Sequence, residues 1–351
     1  MNSLSDISEN SLVIAGTRPE ITKLSPLINN INSKVLLTGQ HYSKEMRETF
    51  LNLLTTNEIE KIDIGGFEDF SKNKYQITDD LTKILKKRDE NLIIVLGDTN
   101  TTLVGAIAAK ASNKKLLFLE SGMRSYELTQ IEEFNRLIVS HLADYNFCNH
   151  ATNVENLVKE GISTKKIFLT GSTVFSSLKI IDQKKYSYDD EFILLTLHRP
   201  ENVDNDIRLN ELIKSLQKLD TKVIFPIHPR TKQKIKEYDL DSIKNIEFIE
   251  PQDYPTFIGL ISGSKFVISD SGGLQEECMI LRKPLLIPRE YSERKEMLNV
   301  FNLLTPTAEQ VLSESKKLES GESNLLESVR SEKYLYGKSE VIENMIEIIK
   351  K

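Results

Sequence analysis

The chain has 351 residues, 39% of them hydrophobic and 28% charged, and its 46 basic and 52 acidic side chains leave a net charge of -6. That length suits two α/β domains, each large enough to bury a core. The charges are interspersed, with no basic block and no basic stripe interleaved with aromatics, which argues against a nucleic-acid partner.

Met1–Asn10 is polar and acidic, unlike a secretory leader, and the longest apolar runs are strand-sized, too short to span a bilayer. The two cysteines, Cys148 and Cys278, stand in apolar segments without CxxC spacing and read as small buried hydrophobes. A soluble cytoplasmic protein is expected.

Along the chain, near-continuous apolar runs alternate with amphipathic stretches. The runs are Leu12–Ala15, Val35–Thr38, Leu92–Leu96, Leu116–Leu119, Tyr145–Cys148 and Ile167–Thr170. Helix-like stretches lie between them at Thr101–Ala111, Glu132–Ala143 and Asn153–Lys159. Apolar strands without alternation are covered on both faces, so the pattern predicts a doubly wound parallel sheet. Lys179–Asp190 is polar and carries no strand signal, which marks the approach to a second domain.

Alternation resumes with the runs Phe192–Leu197, Lys222–Pro226, Ile246–Ile249, Phe266–Ser269 and Pro284–Ile287. Helical stretches there are Arg208–Leu219, Tyr254–Ile261 and Leu274–Met279, and Ser339–Lys350 forms a terminal amphipathic helix. The expected architecture is α/β, two Rossmann-like doubly wound domains facing a cleft. Residues 1–172 form the first domain, 173–338 the second, and 339–351 a helix returning to the first. Ligands of such sheets bind beyond the strand C-termini.

Polar residues placed directly after apolar runs are the candidate site. Gly16-Thr17-Arg18-Pro19-Glu20, with Lys23, follows the first run and could hold a diphosphate near a helix N-terminus, or form a turn with solvated charges. It is neither GxGxxG nor a P-loop. Gly39-Gln40-His41 follows the second run, where a helix-capping role is the simpler account. Asp98 ends the Leu92–Leu96 run and is either a functional carboxylate or the N-cap of the next helix. Glu120 ends another buried run and is too long for favoured cap geometry, so a functional role leads there.

Glu132 and Arg136 are spaced i,i+4 and taken alone would be a surface ion pair. His198 follows the first run of the second half and suits phosphate contact or proton transfer. Ser271-Gly272-Gly273 stands between a strand and a helix as a backbone anion cradle, with Glu277 a turn later placed to take ribose hydroxyls. No metal-ligand spacing and no GxSxG elbow occur.

These segments together resemble the non-hydrolysing UDP-N-acetylglucosamine 2-epimerase family. The motifs are GTRPE-x-x-K (Gly16–Lys23), TGQH (Thr38–His41), GDT-x-T (Gly97–Thr101), E-x-G-x-R-S (Glu120–Ser125) and EE-x-NR (Glu132–Arg136). HR-x-EN (His198–Asn202), PIHPRT (Pro226–Thr231), DSGG-x-QEE (Asp270–Glu277) and R-x-x-x-ER (Arg289–Arg294) follow in order. Each is weak alone; the ordered set is specific and spans Gly16 to about Lys338.

The resemblance implies the glycosyltransferase-B fold and a cofactor-free reaction without metal. UDP leaves the sugar across C1–C2 to give 2-acetamidoglucal and then adds back, with C2 protonated from the other face. It implies Asp98, Glu120 and Glu132 as acid/base carboxylates, and Arg18, Lys23 and His198 at the diphosphate. Ser271, Gly272, Gly273 and Glu277 would hold phosphate and ribose. Arg294, Arg136, Gln40 and His41 complete the implied binding set. A homodimer and a role in cell-surface polysaccharide synthesis are also implied.

The chain departs from the family pattern at several positions. Ser121 and Met123 replace Ala and Leu of E-A-G-L-R-S, Ile131 replaces Pro, and Ser172 and Ser176 replace Asn and Asp of G-N-T-V-x-D. Pro200 replaces the second Arg of HRRE, Lys295 a Pro, and Gly65–Asp69 a glutamine-rich segment. Many bacterial members use the GQH and HRRE regions to bind a second substrate molecule as activator. Gln40, His41, Arg199 and His228 are retained and Ser43 and Pro200 depart, so altered regulation or sugar preference is expected.

Competing readings are an epimerase of a modified UDP-sugar, a hydrolysing relative that releases UDP and N-acetylmannosamine, a glycosyltransferase of the same fold, and a non-catalytic UDP-sugar sensor. The sensor would have no use for buried carboxylates.

Overall fold

The computed structural model describes residues 10–38, 53–55, 59–62, 69–181, 191–227, 229–238, 240 and 244–350. The chain forms two compact units, Met1–Ile181 with Leu335–Lys351, and Asp182–Tyr334. Most of the Lys179–Asp190 segment, from 182 onward, lies outside the described residues.

The first unit begins with β1 (Ser11–Ala15), α1 (Arg18–Ile31), β2 (Lys34–Leu37), β3 (Ile59–Lys61), α2 (Phe70–Lys86), β4 (Leu92–Leu96) and α3 (Asn100–Ala111). It continues with β5 (Lys115–Leu119), α4 (Ile131–Leu142), β6 (Tyr145–Cys148), α5 (Ala151–Lys159), β7 (Ile167–Leu169) and α6 (Val174–Ile180). Its seven strands are all parallel, in the order β3-β2-β1-β4-β5-β6-β7.

Alternate strand residues Leu12, Ile14, Ile93, Val95, Leu116 and Phe118 pack in one cluster with Ile77, Leu81, Leu103, Val104 and Val139 of α2 to α4. The intervening Val13, Ile94 and Leu117 are equally buried, and the alternation of a strand turns them to the other face. Covered on both sides, each strand must be apolar throughout, which is why the runs were visible in the sequence. The unit extends through α6, beyond residue 172, because α6 packs against α1.

The second unit contains β8 (Phe192–Thr196), α7 (Pro200–Val203), α8 (Asp206–Leu216), β9 (Lys222–Pro226), α9 (Pro229–Glu237), β10 (Ile246–Ile249) and α10 (Tyr254–Gly263). It ends with β11 (Val267–Ser269), α11 (Leu274–Ile280), β12 (Leu285–Ile287), β13 (Asn302–Leu304), α12 (Ala308–Ser320) and α13 (Asn324–Ser331). Its six strands, also parallel, are ordered β10-β9-β8-β11-β12-β13. The last helix, α14 (Glu340–Lys350), belongs to the first unit and packs on α1.

In each sheet the chain winds outward in both directions from a central pair, β1 with β4 and β8 with β11. Such a reversal opens a crevice at the strand C-termini, the usual ligand position in open α/β sheets. Asp98, His198 and Ser271 lie in the turns after β4, β8 and β11, and Arg18 opens the helix that follows β1. Among the described residues no helix is long and apolar enough to cross a membrane. Both cysteines are buried and unpaired, and burial pushes the Cys148 thiol up to about 12.

Candidate active site

The first unit brings three acidic segments to the C-terminal edge of its sheet. Glu20, at the third position of α1, turns back onto the β1–α1 turn. One of its carboxylate oxygens accepts from the Gly16 amide at 2.8 Å, the Thr17 amide at 2.7 Å and the Thr17 hydroxyl at 3.0 Å. The other accepts from Thr99 Oγ1 at 2.6 Å and Thr102 Oγ1 at 3.1 Å in the turn after β4. Burial pushes this carboxyl above the usual range, although those donors oppose the shift. The turn tolerates no side chain at Gly16, where a Cβ would lie 2.0 Å from Thr101 Oγ1.

Asp98 does not cap α3; that role falls to Thr99, whose hydroxyl accepts from the Thr102 amide at 3.1 Å. Asp98 instead pairs with the guanidinium of Arg136, and its side chain is 37% exposed against 5% for the arginine. Arg136 is therefore not half of a surface pair. Its Nε and Nη2 donate to Glu133 at 3.0 and 2.8 Å, so a buried carboxylate holds the arginine while its remaining nitrogen reaches Asp98.

Glu133 also accepts from the Ser125 and Tyr126 amides at 3.0 and 2.9 Å. Burial would raise its carboxyl, but the Arg136 charge and these amides outweigh burial and leave it below the usual range. Glu132 lies in the first turn of α4, half-buried.

Glu120 follows β5 directly in the left-handed backbone region at φ 63°, which a residue with a Cβ enters at a cost of about 1–2 kcal/mol. Its carboxylate forms an ion pair with Lys23 of α1, and both side chains are nearly buried. Two residues on, Gly122 has φ 83°, and a Cβ there would lie 2.3 Å from the Asn153 carbonyl oxygen. Arg124, 1% exposed, grips both Glu160 oxygens at 2.8 and 2.7 Å and so ties this loop to the end of α5. Arg18 begins α1, half-buried.

In the second unit, Asp270 follows β11 and is fully buried. It accepts from the His198 and Arg199 amides at 3.1 and 3.0 Å, from Asn202 Nδ2 at 3.0 Å and from His198 Nδ1 at 3.0 Å. Burial pushes its carboxyl up, but the His198 imidazole and these amides hold it below the usual range. With Nδ1 fixed on Asp270, the Nε2 edge of the half-exposed His198 ring is the one presented outward. Arg208 braces the turn from behind, donating to Asn202 Oδ1 at 2.6 Å and to the Pro306 and Pro288 carbonyls at 2.8 and 3.0 Å.

Ser271, Gly272 and Gly273 form the turn between β11 and α11, all half-exposed. A Cβ on Gly272 would lie 2.2 Å from Glu293 Oε1, whereas at Gly273 nothing stands within 4 Å. Glu277, in the first turn of α11, accepts from the Tyr254 hydroxyl. Arg294 is 3% exposed and engaged by Glu276 at 2.7 Å and by Glu293 at 2.8 Å.

The structure thus joins Lys23 to Glu120, Asp98 to Arg136 and His198 to Asp270. Glu20, Glu133 and Asp270 stood inside the quoted motifs without an assigned role; the signal available was a carboxylate next to a strand end or in a helix first turn. Gln40, His41, Ser43, His228 and positions 65–68 lie outside the described residues. Among the described residues no group of three or more His, Cys, Asp or Glu is placed to hold a metal ion.

A family model described as UDP-N-acetylglucosamine 2-epimerase matches residues 27–350. The UDP-N-acetylglucosamine 2-epimerase of Methanococcus maripaludis is 37% identical over 312 residues, 82% of this chain and 85% of the relative. The UDP-2,3-diacetamido-2,3-dideoxy-D-glucuronate 2-epimerase of Pseudomonas aeruginosa is 30% identical over 97% of this chain and 99% of its own length. Among solved structures, the Methanocaldococcus jannaschii UDP-GlcNAc 2-epimerase in complex with UDP-GlcNAc and UDP superposes with a TM-score of 0.85. It is 32% identical and is covered over 99% of its chain, against 97% of this one.

Proposed function

The chain belongs to the UDP-N-acetylglucosamine 2-epimerase family, and from that premise we propose that it interconverts UDP-N-acetylglucosamine and UDP-N-acetylmannosamine by inversion at C2. The observation that carries the reading is the pair of carboxylates, Asp98 and Glu120, at the C-terminal ends of adjacent strands β4 and β5, each beside a cation. Inversion at a weakly acidic carbon by elimination and return needs a group to take the C2 proton and a group to restore one on the other face. Glu132 is the third carboxylate of this set.

Departure of UDP places negative charge on the diphosphate, which preorganised donors stabilise. We assign that task to His198, Arg18 and Lys23, with the Ser271-Gly272-Gly273 turn and Glu277 holding phosphate and ribose. Asp270 then acts through His198, fixing which ring nitrogen meets the substrate. Arg136 is assigned to Asp98 as an orienting partner.

The test is proton NMR of the protein with UDP-N-acetylglucosamine in deuterated buffer. Loss of the C2 proton signal with growth of a UDP-N-acetylmannosamine set is expected. Accumulation of free UDP and N-acetylmannosamine instead would indicate hydrolysis.

Likeness to the Pseudomonas aeruginosa enzyme over nearly its whole length favours one second reading, a 2-epimerase of a 2,3-diacetamido uronic UDP-sugar. No exchange with UDP-N-acetylglucosamine but exchange with that sugar would establish it. No exchange with either would sink the epimerase assignment.

A further inference from the structure

We infer that Arg289 is a diphosphate-binding residue of the second unit, held in the absence of ligand by Glu293, whose carboxylate occupies the position of an incoming phosphate beside the Ser271-Gly272-Gly273 turn. The inference deepens the family-based reading and rests on it.

Arg289 is 3% exposed, yet its Nε and Nη1 have no hydrogen-bond partner among the described residues. The nearest carboxylate oxygens are Glu293 Oε2, 3.6 Å from Nη1, and Glu201 Oε1, 4.0 Å from Nε, both beyond hydrogen-bond reach. The guanidinium also lies over the Tyr291 ring, 4.8 Å from its centroid. A buried cation with unmade hydrogen bonds is costly and calls for a reason, and binding of an anion is one that would complete those bonds.

Glu293 points to which ligand. Its Oε1 lies 2.8 Å from Arg294 Nη1 and only 2.2 Å from where a Cβ on Gly272 would stand. Its other oxygen faces Arg289. One carboxylate therefore spans the distance from the glycine turn to Arg289, as a phosphate group could. Carboxylate and phosphate offer a guanidinium the same pair of acceptor oxygens.

Arg294 keeps a second counterion in the fully buried Glu276. Turning Glu293 outward would remove the carboxylate that Arg289 and Arg294 share, and a phosphate could take its place between them. The space beside Gly273 is open for that approach.

Calorimetric titration of the full chain with UDP and with uridine tests this. Arg289→Gln should weaken UDP about 10- to 100-fold, the effect of one or two charge-assisted hydrogen bonds, and leave uridine unchanged. Arg289→Lys keeps the charge without the planar fork and should recover part of the loss. Glu293→Gln should tighten UDP severalfold, because the competing anion is gone.

A purely structural ion pair predicts that both Arg289→Gln and Glu293→Gln weaken UDP, and that result would overturn the inference. So would an Arg289→Gln protein that binds UDP like the wild type or loses uridine equally. A wild-type protein that binds no UDP would overturn the family-based reading as well.

Discussion

Glu20 joins two turns of the first unit's candidate site. Its carboxylate receives the Gly16 and Thr17 amides on one oxygen and the Thr99 hydroxyl on the other, so Arg18 and Asp98 are set by one side chain. Removing it in Glu20→Ala leaves two amides in a buried turn unpaired, at roughly 1–3 kcal/mol each. Glu20→Gln keeps one acceptor oxygen for those amides, and the Thr99 hydroxyl can rotate to meet the new NH2. We expect thermal unfolding to show a large loss for the alanine variant and a small one for the glutamine variant, with C2 exchange slowed more than stability in the latter. Equal exchange rates in wild type and Glu20→Gln would remove the positioning role.

The same residues show what sequence reading could reach. Asp98 and Glu120 were legible because a carboxylate that ends a buried apolar run needs a reason to be there. Glu20, Glu133 and Arg289 were not, because their partners, Thr99, Arg136 with the Ser125 amide, and Glu293, are settled only by folding. The i,i+4 spacing of Glu132 and Arg136 suggested an ion pair on the helix surface, but burial of Arg136 and its capture by Glu133 and Asp98 gave that arginine a different task.

At the scale of elements, the two ends of the first sheet do different work. The C-terminal ends of β1, β4 and β5 carry the candidate site. The N-terminal ends are clamped by Glu90, just before β4, which pairs with Lys34 of β2 at 3.2 Å and with Arg88 at 3.1 Å. Lys114, just before β5, donates to the Glu90 carbonyl at 2.6 Å. Burial opposes ionisation of Glu90, but the Arg88 and Lys34 contacts prevail and lower its carboxyl to about 2.

A folded-state value below the unfolded one means stability that is present above pH 4.5 and is lost as pH falls towards 2. Discounted for its exposed lysine partner, this amounts to about 2 kcal/mol. Glu20 has the opposite sign: its raised value means ionisation opposes folding, an effect that sets in above the ordinary carboxyl value of 4.5. Urea midpoints measured from pH 7 to pH 3 should therefore fall less steeply below pH 4.5 in Glu90→Gln than in wild type. Parallel curves would show that the clamp is not a titrating contact.

The elements themselves were legible to the extent that burial on both faces forces unbroken apolar runs. The three-residue outer strands β3 and β13, whose sequences Ile-Glu-Lys and Asn-Leu-Leu carry polar residues, gave no such run. Helix α2 carries little apolar signal, because it buries only Ile77, Leu81 and Leu85 along a polar sequence.

At the scale of the whole chain, the first unit is completed by residues that come after the second. The chain returns through Tyr336, whose carbonyl accepts the Ser172 amide at 2.9 Å, and Gly171 at φ 89° has no room for a Cβ, which would lie 2.4 Å from that same oxygen. Helix α14 then buries Val341, Ile342, Met345 and Ile349. At roughly 1.5–3 kcal/mol for each fully buried side chain, an upper bound for a compact unfolded state, this face rivals the ~5–15 kcal/mol stability of a domain.

A chain ending at Tyr334 should therefore lose the first unit's fold while the second, whose sequence is uninterrupted from Asp182 to Tyr334, survives. Hydrogen exchange would find protection lost in β1, β4 and β5 and kept in β8 and β11. UDP binding should weaken but persist, because Arg18 and Lys23 are lost while His198, the Ser271-Gly272-Gly273 turn and Glu277 remain, and C2 exchange should vanish, because the carboxylates are assigned to the first unit. Gly171→Ala should reproduce a milder form of the same split, since it displaces only the returning segment at Tyr336. Uniform loss of protection across both sheets in the truncated chain would mean that the two units fold as one, and that the return of the C-terminal segment is not what completes the first.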